Sequence, residues 1–203
     1  MADPLPQQPG PPNRARTVLA PGRQQADDVI ELIMADHRRI RRLCAALEDV
    51  VRCPGEAGSD QSLAHVWRRL ADLLEAHFRA EEEICYLPMF GCSPRPAERW
   101  DAVADHDDIR AAMGEASLQP VGSALWWRAV RAVVTASIGH LDWEERGVLA
   151  ACLPGLTISQ RRELGRCWLA FIAAWTLDAT PPARTDLPGG VPLPARHRRP
   201  GPT

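Results

Sequence analysis

Two histidine–glutamate pairs in this chain share one spacing. His77 is followed by Glu81, and His140 by Glu144, four residues later in each case. An α-helix turns about 100° per residue, so this spacing places the two side chains of a pair about 40° apart on one helical face. Because imidazole nitrogens and carboxylate oxygens are common metal ligands, each pair is a candidate source of two ligands for one metal ion.

Two single histidines lie on the same kind of face in two other predicted helices. Apolar residues that step by three and four along the chain predict the buried stripe of a bundle helix. His37 continues such a stripe between Ile33 and Ile40, and His106 continues one that begins at Val103. Each of four predicted helices therefore directs one histidine into the core, and two of them add a glutamate.

These six inward side chains are costly to bury without compensation, because buried carboxylates and imidazoles need partners for their polar atoms. A single core histidine is more often a packed, hydrogen-bonded residue than a ligand, and a single His–Glu pair is often solvated. Four helices that repeat the pattern favour a metal site over either alternative. The predicted metal ligands are His37, His77, Glu81, His106, His140 and Glu144.

The donor types indicate which metal to expect. Imidazole suits iron, zinc, copper and nickel, whereas mixed nitrogen and oxygen sites suit iron and manganese. Since glutamate can bridge two metal ions, the donor set predicts two iron ions, with zinc as the alternative. Ferritin-like two-iron proteins place the glutamate before the histidine at a spacing of three, the reverse of the order here, so that class is disfavoured.

Proline marks the limits of the helical region. Six of the 19 prolines lie in residues 1–25 and seven in residues 179–203, so we expect a disordered arm and a disordered tail around one helical domain at 26–178. The other six prolines fall between helical windows, and no strand-like alternation is present. We predict an all-α fold, a four-helix bundle with an additional C-terminal helix. The predicted windows are 27–52, 61–87, 97–117, 121–151 and 158–177.

Charge and composition exclude several function classes. All 24 basic residues are arginine, so Schiff-base chemistry on a lysine is excluded. The arm has three Arg and one Asp and the tail four Arg and one Asp, so the formal net charge of −2 leaves about −7 for residues 26–178. An acidic domain does not resemble a nucleic-acid binder, which usually has a basic face. We therefore expect no nucleic-acid partner.

The chain also has no feature of a secreted or membrane protein. Prolines interrupt the amino-terminal region, which has no apolar run of the secretory type. No segment has about 18 consecutive apolar residues, so no membrane contact is expected. The six cysteines form no CxxC pair, which is typical of reduced thiols. We expect a cytoplasmic protein.

The full set of motifs resembles the hemerythrin-like, or HHE cation-binding, domain family across residues 27–151. The resemblance implies an up-down-up-down four-helix bundle with a non-haem two-iron centre, joined by an oxo or carboxylate bridge, and the six predicted ligands match ligand positions of the family. Such a centre would bind dioxygen, nitric oxide or peroxide. The motifs that carry the resemblance are Asp36-His37-Arg38-Arg39-Ile40, His77 to Glu82 leading to Leu87-Pro88, Asp105-His106-Asp107-Asp108-Ile109-Arg110, and His140 to Glu145.

One position departs from the family pattern. Oxygen-carrying members have a second histidine four residues after the third-helix histidine, where this chain has Arg110. A guanidinium cannot bind a metal, so one iron lacks a ligand that water, Tyr86 or Asp107 would have to replace. An open position favours reactivity over oxygen storage. Arg110 itself is expected to pair with Glu81 or Glu144, to steer a peroxide anion, or to extend to the bundle end.

The neighbours of the predicted ligands are expected to be solvated. Glu82, Glu83 and Glu145 follow the inward glutamates by one or two residues, so helical geometry turns them away from the core. On this view, replacing Glu82 has little effect.

The sequence thus predicts a protein that binds, senses or detoxifies dioxygen, nitric oxide or hydrogen peroxide. The alternative is a cation-binding regulatory or iron-handling module without turnover, and a metal-free bundle with a polar core is disfavoured. Whether the protein is an enzyme stays open. Its expected partner is a small-molecule ligand, and no protein partner is indicated.

Overall fold

The fold is entirely helical across the residues that the computed structural model describes, which are 27–52, 60–91, 98–152 and 154–177. The predicted arm at 1–25 and tail at 179–203 lie outside the described residues. A π-helical turn, Glu81–Cys85, joins the second and third helices. The helices are α1 (Val29–Arg52), α2 (Asp60–Ala80), α3 (Tyr86–Gly91), α4 (Glu98–Ser117), α5 (Ala124–Arg146), α6 (Val148–Cys152) and α7 (Ile158–Leu177).

Local signals explain the limits of the later helices. The hydroxyl of Ser123 accepts a hydrogen bond from the backbone N–H of Trp126 at 3.2 Å and so caps the start of α5. The hydroxyl of Thr157 accepts a hydrogen bond from the backbone N–H of Gln160 at 3.2 Å just before α7 and so caps its start. The predicted window 121–151 is wrong in its continuity, because the backbone leaves helical geometry at Gly147 and separates α5 from α6.

The expectation that Pro88 lies beyond the second helix is also wrong. The chain passes from α2 through the π-helical turn into α3, in which Pro88 is the third residue. Proline has no backbone N–H, so Pro88 interrupts the hydrogen-bond ladder of this continuous helical run just after the π-helical turn. In the π-helical turn, the N–H of Tyr86 bonds to the carbonyl of Glu81, five residues back. This hydrogen bond brings two residues five apart onto nearly the same face, whereas a regular α-helix would separate them by about 140°.

Two apolar clusters form the core, and the predicted ligands lie where they meet. The first cluster includes Leu70 and Trp126, and the second includes Met89 and Trp168. Each ligand-bearing helix contributes to both: in α1, for example, Ile33 belongs to the second cluster and Ile40 to the first. The predicted ligands therefore lie between two buried apolar clusters.

The predicted additional C-terminal helix is present and packs against two of the ligand-bearing helices. Helix α7 contacts α1, α2 and the π-helical turn, and its Trp168 is buried. Gly165 is required at this contact, because a Cβ there would lie 1.7 Å from the carbonyl oxygen of Asp27. Within the described residues, no helix is both long enough and apolar enough to cross a membrane.

Candidate metal centre

The six predicted ligands come together in the interior. His37 comes from α1, His77 from the end of α2, Glu81 from the π-helical turn, and His106 from α4. Helix α5 contributes the remaining pair. All six are buried, with exposed fractions between 0 and 2%: His37, His77, Glu81, His106, His140 and Glu144.

Four of these side chains form a first group that can hold one metal ion. One ligand atom from each of His37, His77, Glu81 and Glu144 lies within 4.8 Å of the others. The Nε2 atom of His77 is 3.1 Å from Oε1 of Glu81, and Nε2 of His37 is 3.5 Å from Oε2 of Glu144. We call this group the first metal position.

A second group shares Glu81 with the first. It consists of Glu81, His106 and His140, and we call it the second metal position. The Nε2 atoms of the two histidines are 2.8 Å apart, and Nε2 of His106 is 3.4 Å from Oε2 of Glu81. Glu81 thus directs Oε1 to the first position and Oε2 to the second. Glu144 also lies between them, because its Oε2 is 3.7 Å from Nε2 of His140.

Tyr86 lies at the second position because of the π-helical turn. Its buried hydroxyl donates to Oε1 of Glu144 at 3.0 Å and lies 3.0 Å from Nε2 of His106. It is also 3.4 Å from Oε2 of Glu81. Burial and the charges of Glu144 and Glu81 raise the pKa of Tyr86 well above its ordinary value. The phenol is therefore protonated in the metal-free protein, and binding to a metal would require loss of that proton.

Unpaired atoms show that the first position fits a cation. Nε2 of His37, Nε2 of His77, Oε1 of Glu81 and Oε2 of Glu144 are buried and have no hydrogen-bond partner among the described residues. Leaving such an atom unsatisfied costs about 1–3 kcal/mol, and more when it is charged. These atoms converge on the first position, so one metal ion would satisfy all four.

Without a metal, protons compensate the buried carboxylates. Burial alone would lower the pKa of His37, but Glu144 and Glu81 raise it to about 10. Burial likewise opposes protonation of His106, whereas Glu81 and Glu82 raise its pKa to about 9. Despite its burial, Glu81 has a pKa well below its usual range, because His77, His106 and His37 surround it. Metal binding must therefore displace protons from the two histidines.

The prediction that Glu82 and Glu145 are solvated is wrong. Oε1 of Glu82 accepts from Nδ1 of His106 at 2.9 Å, and Oε1 of Glu145 accepts from Nδ1 of His37 at 2.9 Å. The one-residue offset turns each glutamate away from the metal position but towards a neighbouring helix rather than solvent. Only Glu83 is exposed, as predicted.

Arg110 does not pair with Glu81 or Glu144, so that expectation is wrong as well. Its Nε donates to Oε2 of Glu75 at 2.7 Å, and its Nη1 donates to Oε1 of Glu82 at 2.8 Å. Asp107 pairs with the same guanidinium at 3.4 Å and belongs to neither metal position. Of the two side chains proposed to replace the absent histidine, only Tyr86 lies at the site.

Aromatic rings pack against the histidines from outside the metal positions. Phe78 stacks on His106, with ring centroids 4.0 Å apart and planes inclined by 16°. The ring of Trp168, from α7, meets His77 edge-on at 5.5 Å. These contacts restrict the imidazole rings and exclude water.

The fold and the site together fit a helical metal-binding protein with buried histidines and glutamates as candidate ligands. The family model of the hemerythrin HHE cation binding domain matches residues 28–152, and the chain belongs to this family. Helix α7 lies beyond the matched residues. Neither the comparison with curated proteins nor that with solved structures gave a match.

Proposed function

We propose that this protein is a non-haem di-iron protein that binds, senses or detoxifies dioxygen, nitric oxide or hydrogen peroxide. The observation that carries the proposal is the pair of buried ligand groups that share Glu81. A carboxylate with one oxygen directed to each group is suited to bridging two ions. The bound irons would supply redox and Lewis-acid chemistry.

The donor set supports iron rather than zinc. The second position combines His106, His140 and the carboxylate of Glu81. Two histidines and one carboxylate are typical of non-haem iron(II) sites with open positions. No cysteine belongs to either group within the described chain, although thiolates are frequent ligands of structural zinc.

Tyr86 is our proposed replacement for the histidine that Arg110 displaces from the family pattern. Its hydroxyl lies within 3.0 Å of Nε2 of His106, at the position with fewer ligands. A positively charged ion at this point would oppose the effect of Glu144 and Glu81 on the phenol and favour its deprotonated form.

We further propose that the four ligand-bearing helices form an up-down-up-down bundle within a domain at 26–178. Support comes from paired contacts in which one residue number rises as the other falls. Between α1 and α5, His37 contacts Glu145 and Arg41 contacts Asp142. Contacts of Glu75 with Arg110 and of Glu82 with His106 follow the same rule between α4 and the α2 side, as expected for antiparallel neighbours.

A cytoplasmic location remains part of the proposal. All four cysteines in the described part of the chain are free thiols, in keeping with a reducing compartment. They are Cys44, Cys85, Cys152 and Cys167.

A second candidate function is a metal-binding regulatory or iron-handling module without turnover. It is favoured by the closure of the site, since none of the six ligands is more than 2% exposed. In this case, metal binding would stabilise the fold and leave no route for a reactant.

Metal analysis combined with reactant addition separates these functions. We expect protein purified from iron-supplied cells to contain two irons per chain. Its absorption spectrum should change when nitric oxide or peroxide is added, or when oxygen is added to the reduced protein. Oxygen evolution from peroxide would show disproportionation, which needs no other reductant. Bound iron with no response to any of the three would favour the module without turnover. Bound zinc, or a failure to bind iron(II) on reconstitution, would contradict the di-iron proposal.

A further inference from the structure

The same pattern of residues occurs twice in the bundle, once in a first half formed by α1, α2 and the π-helical turn and once in a second half formed by α4 and α5. Residues 36–41 of α1 read Asp-His-Arg-Arg-Ile-Arg, and residues 105–110 of α4 read Asp-His-Asp-Asp-Ile-Arg. Each half then has a His-x-x-x-Glu-Glu run, at 77–82 and at 140–145. The second glutamate of each run, Glu82 or Glu145, belongs to neither metal position.

The contacts of these second glutamates cross between the halves. Glu145, in the second half, accepts from Nδ1 of His37 and from Nη1 of Arg41, both in the first half. Glu82, in the first half, accepts from Nδ1 of His106 and Nη1 of Arg110, both in the second. In each case the arginine stands four residues after the histidine, so both donors lie on one helical face and meet one carboxylate oxygen.

Each arginine is itself held by a further carboxylate. Nη2 of Arg41 donates to Asp142 at 2.7 Å, and Nε of Arg110 donates to Glu75 at 2.7 Å. The carboxylate that receives the histidine N–H is therefore fixed in position from its outer side. Fork-shaped guanidinium groups are well suited to this task, because several N–H groups are held in one rigid plane.

We propose that Glu145 with Arg41, and Glu82 with Arg110, are positioning residues that control the two metal positions separately. A carboxylate at Nδ1 holds the hydrogen there, which leaves the Nε2 lone pair directed to the metal. Glu145 acts through His37 on the first position, and Glu82 acts through His106 on the second. This inference rests on the proposed two-metal function.

Separate control follows from which ligands the two glutamates contact. His37 belongs only to the first position and His106 only to the second, whereas the shared Glu81 contacts neither Glu82 nor Glu145 through any described hydrogen bond. Glu82 is less exposed than Glu145, at 14% against 23%, so its removal has the larger expected effect.

The test is an anaerobic titration of the full metal-free chain with iron(II), in which calorimetry measures the affinity of each binding step. Loss of an outer carboxylate typically weakens metal binding about 10- to 100-fold. We expect Glu82→Ala to weaken one of two binding steps by about this factor and Glu145→Ala to weaken the other. The exposed neighbour provides the matched control, because Glu83→Ala should bind both irons as the wild type does.

A one-site background assigns each effect to a position. In His106→Ala, which should retain only the first position, a second change of Glu145→Ala should weaken the remaining iron and Glu82→Ala should not. His37→Ala should reverse this preference, and His140→Ala can replace His106→Ala if the latter does not fold. The variants Glu82→Gln and Glu145→Gln keep an acceptor of the same shape, so part of the affinity that the alanine variants lose should return.

Each remaining outcome counts against a specific claim. If the wild type binds two irons and both alanine variants match it, the positioning role is overturned. If either variant weakens both binding steps equally, separate control is overturned. If the glutamine variants do not restore iron affinity, and the loss of affinity parallels a fall in the melting temperature of the metal-free protein, the glutamates have a structural role only. A wild type that binds no iron overturns the proposed function and this inference with it.

Discussion

The two halves of the bundle place similar ligands at the metal positions but continue differently after the inward glutamate. After Glu81 the chain forms a π-helical turn, which carries Tyr86 to the site. After Glu144 the helix ends at Arg146, and Gly147 redirects the chain into α6. No phenol follows on that side, because Tyr86 is the only tyrosine of the chain. Identical donor patterns therefore produce two different metal positions.

Local backbone geometry, rather than ligand type, therefore sets the asymmetry of this site. A regular helix would have turned Tyr86 about 140° away from Glu81. The extra residue in the π-helical turn removes most of that separation and places Tyr86 beside the second metal position, in a chain that has Arg110 where oxygen-carrying family members have a histidine. Single π-helical turns within α-helices are frequent at functional sites for such reasons.

The largest effect is expected from removing the ligand that both positions share. Glu81→Ala should reduce iron from two per chain to less than one, because each position loses an oxygen donor. Metal analysis after reconstitution measures this, with Glu83→Ala as the exposed control. Retention of two irons in Glu81→Ala would show that the positions are independent and that this glutamate does not bridge them.

Next in size is the loss of one histidine from one half. His77→Ala should empty the first position and His140→Ala the second, so each variant should hold about one iron. Both should also melt at a lower temperature when loaded with iron than the wild type does, because bound metal stabilises the folded state by mass action. Full iron content in either variant would remove that histidine from the ligand set.

The pH dependence of the metal-free protein involves one histidine from each half. The folded-state pKa values of His37, about 10, and His106, about 9, lie above the unfolded value of about 6.5. Their stabilising contribution is thus fully present below pH 6.5 and is lost as the pH rises through 9 and 10. Urea unfolding of the metal-free chain should show a falling midpoint across this range, and a midpoint that rises there would contradict the assignment.

The smallest change in metal content is expected from the residue that distinguishes the halves. Tyr86→Phe should retain most of its iron but lose any visible absorption that arises from a phenolate bound to ferric iron. Absorption spectra of the two oxidised proteins make the comparison, with iron content measured on the same samples. An unchanged visible spectrum would mean that Tyr86 only donates a hydrogen bond to Glu144.

The helical fold and the inward side chains were accessible from sequence because they depend on local periodicity. His37 and His106 continue apolar stripes, and each His–Glu pair fits one helical face. The burial of the six side chains follows from the same pattern.

The contacts outside the metal positions were not accessible in the same way. Glu82 meets a histidine 24 residues away and Glu145 one 108 residues away, so helical offset alone could not reveal their partners. The signal available in the sequence was the repeated His-x-x-x-Arg spacing at His37 and His106. The π-helical turn contacts α7 and, through Glu82, His106 of α4, and the periodicity of the sequence contains no direct record of these contacts.

The most direct test of the central claim is an anomalous difference map, measured at the iron absorption edge, from crystals of the iron-loaded protein. We expect two peaks in each chain, one next to His37 and His77 and the other next to His106 and His140, with Glu81 between them. A single peak, or two peaks that do not share Glu81, would contradict this claim.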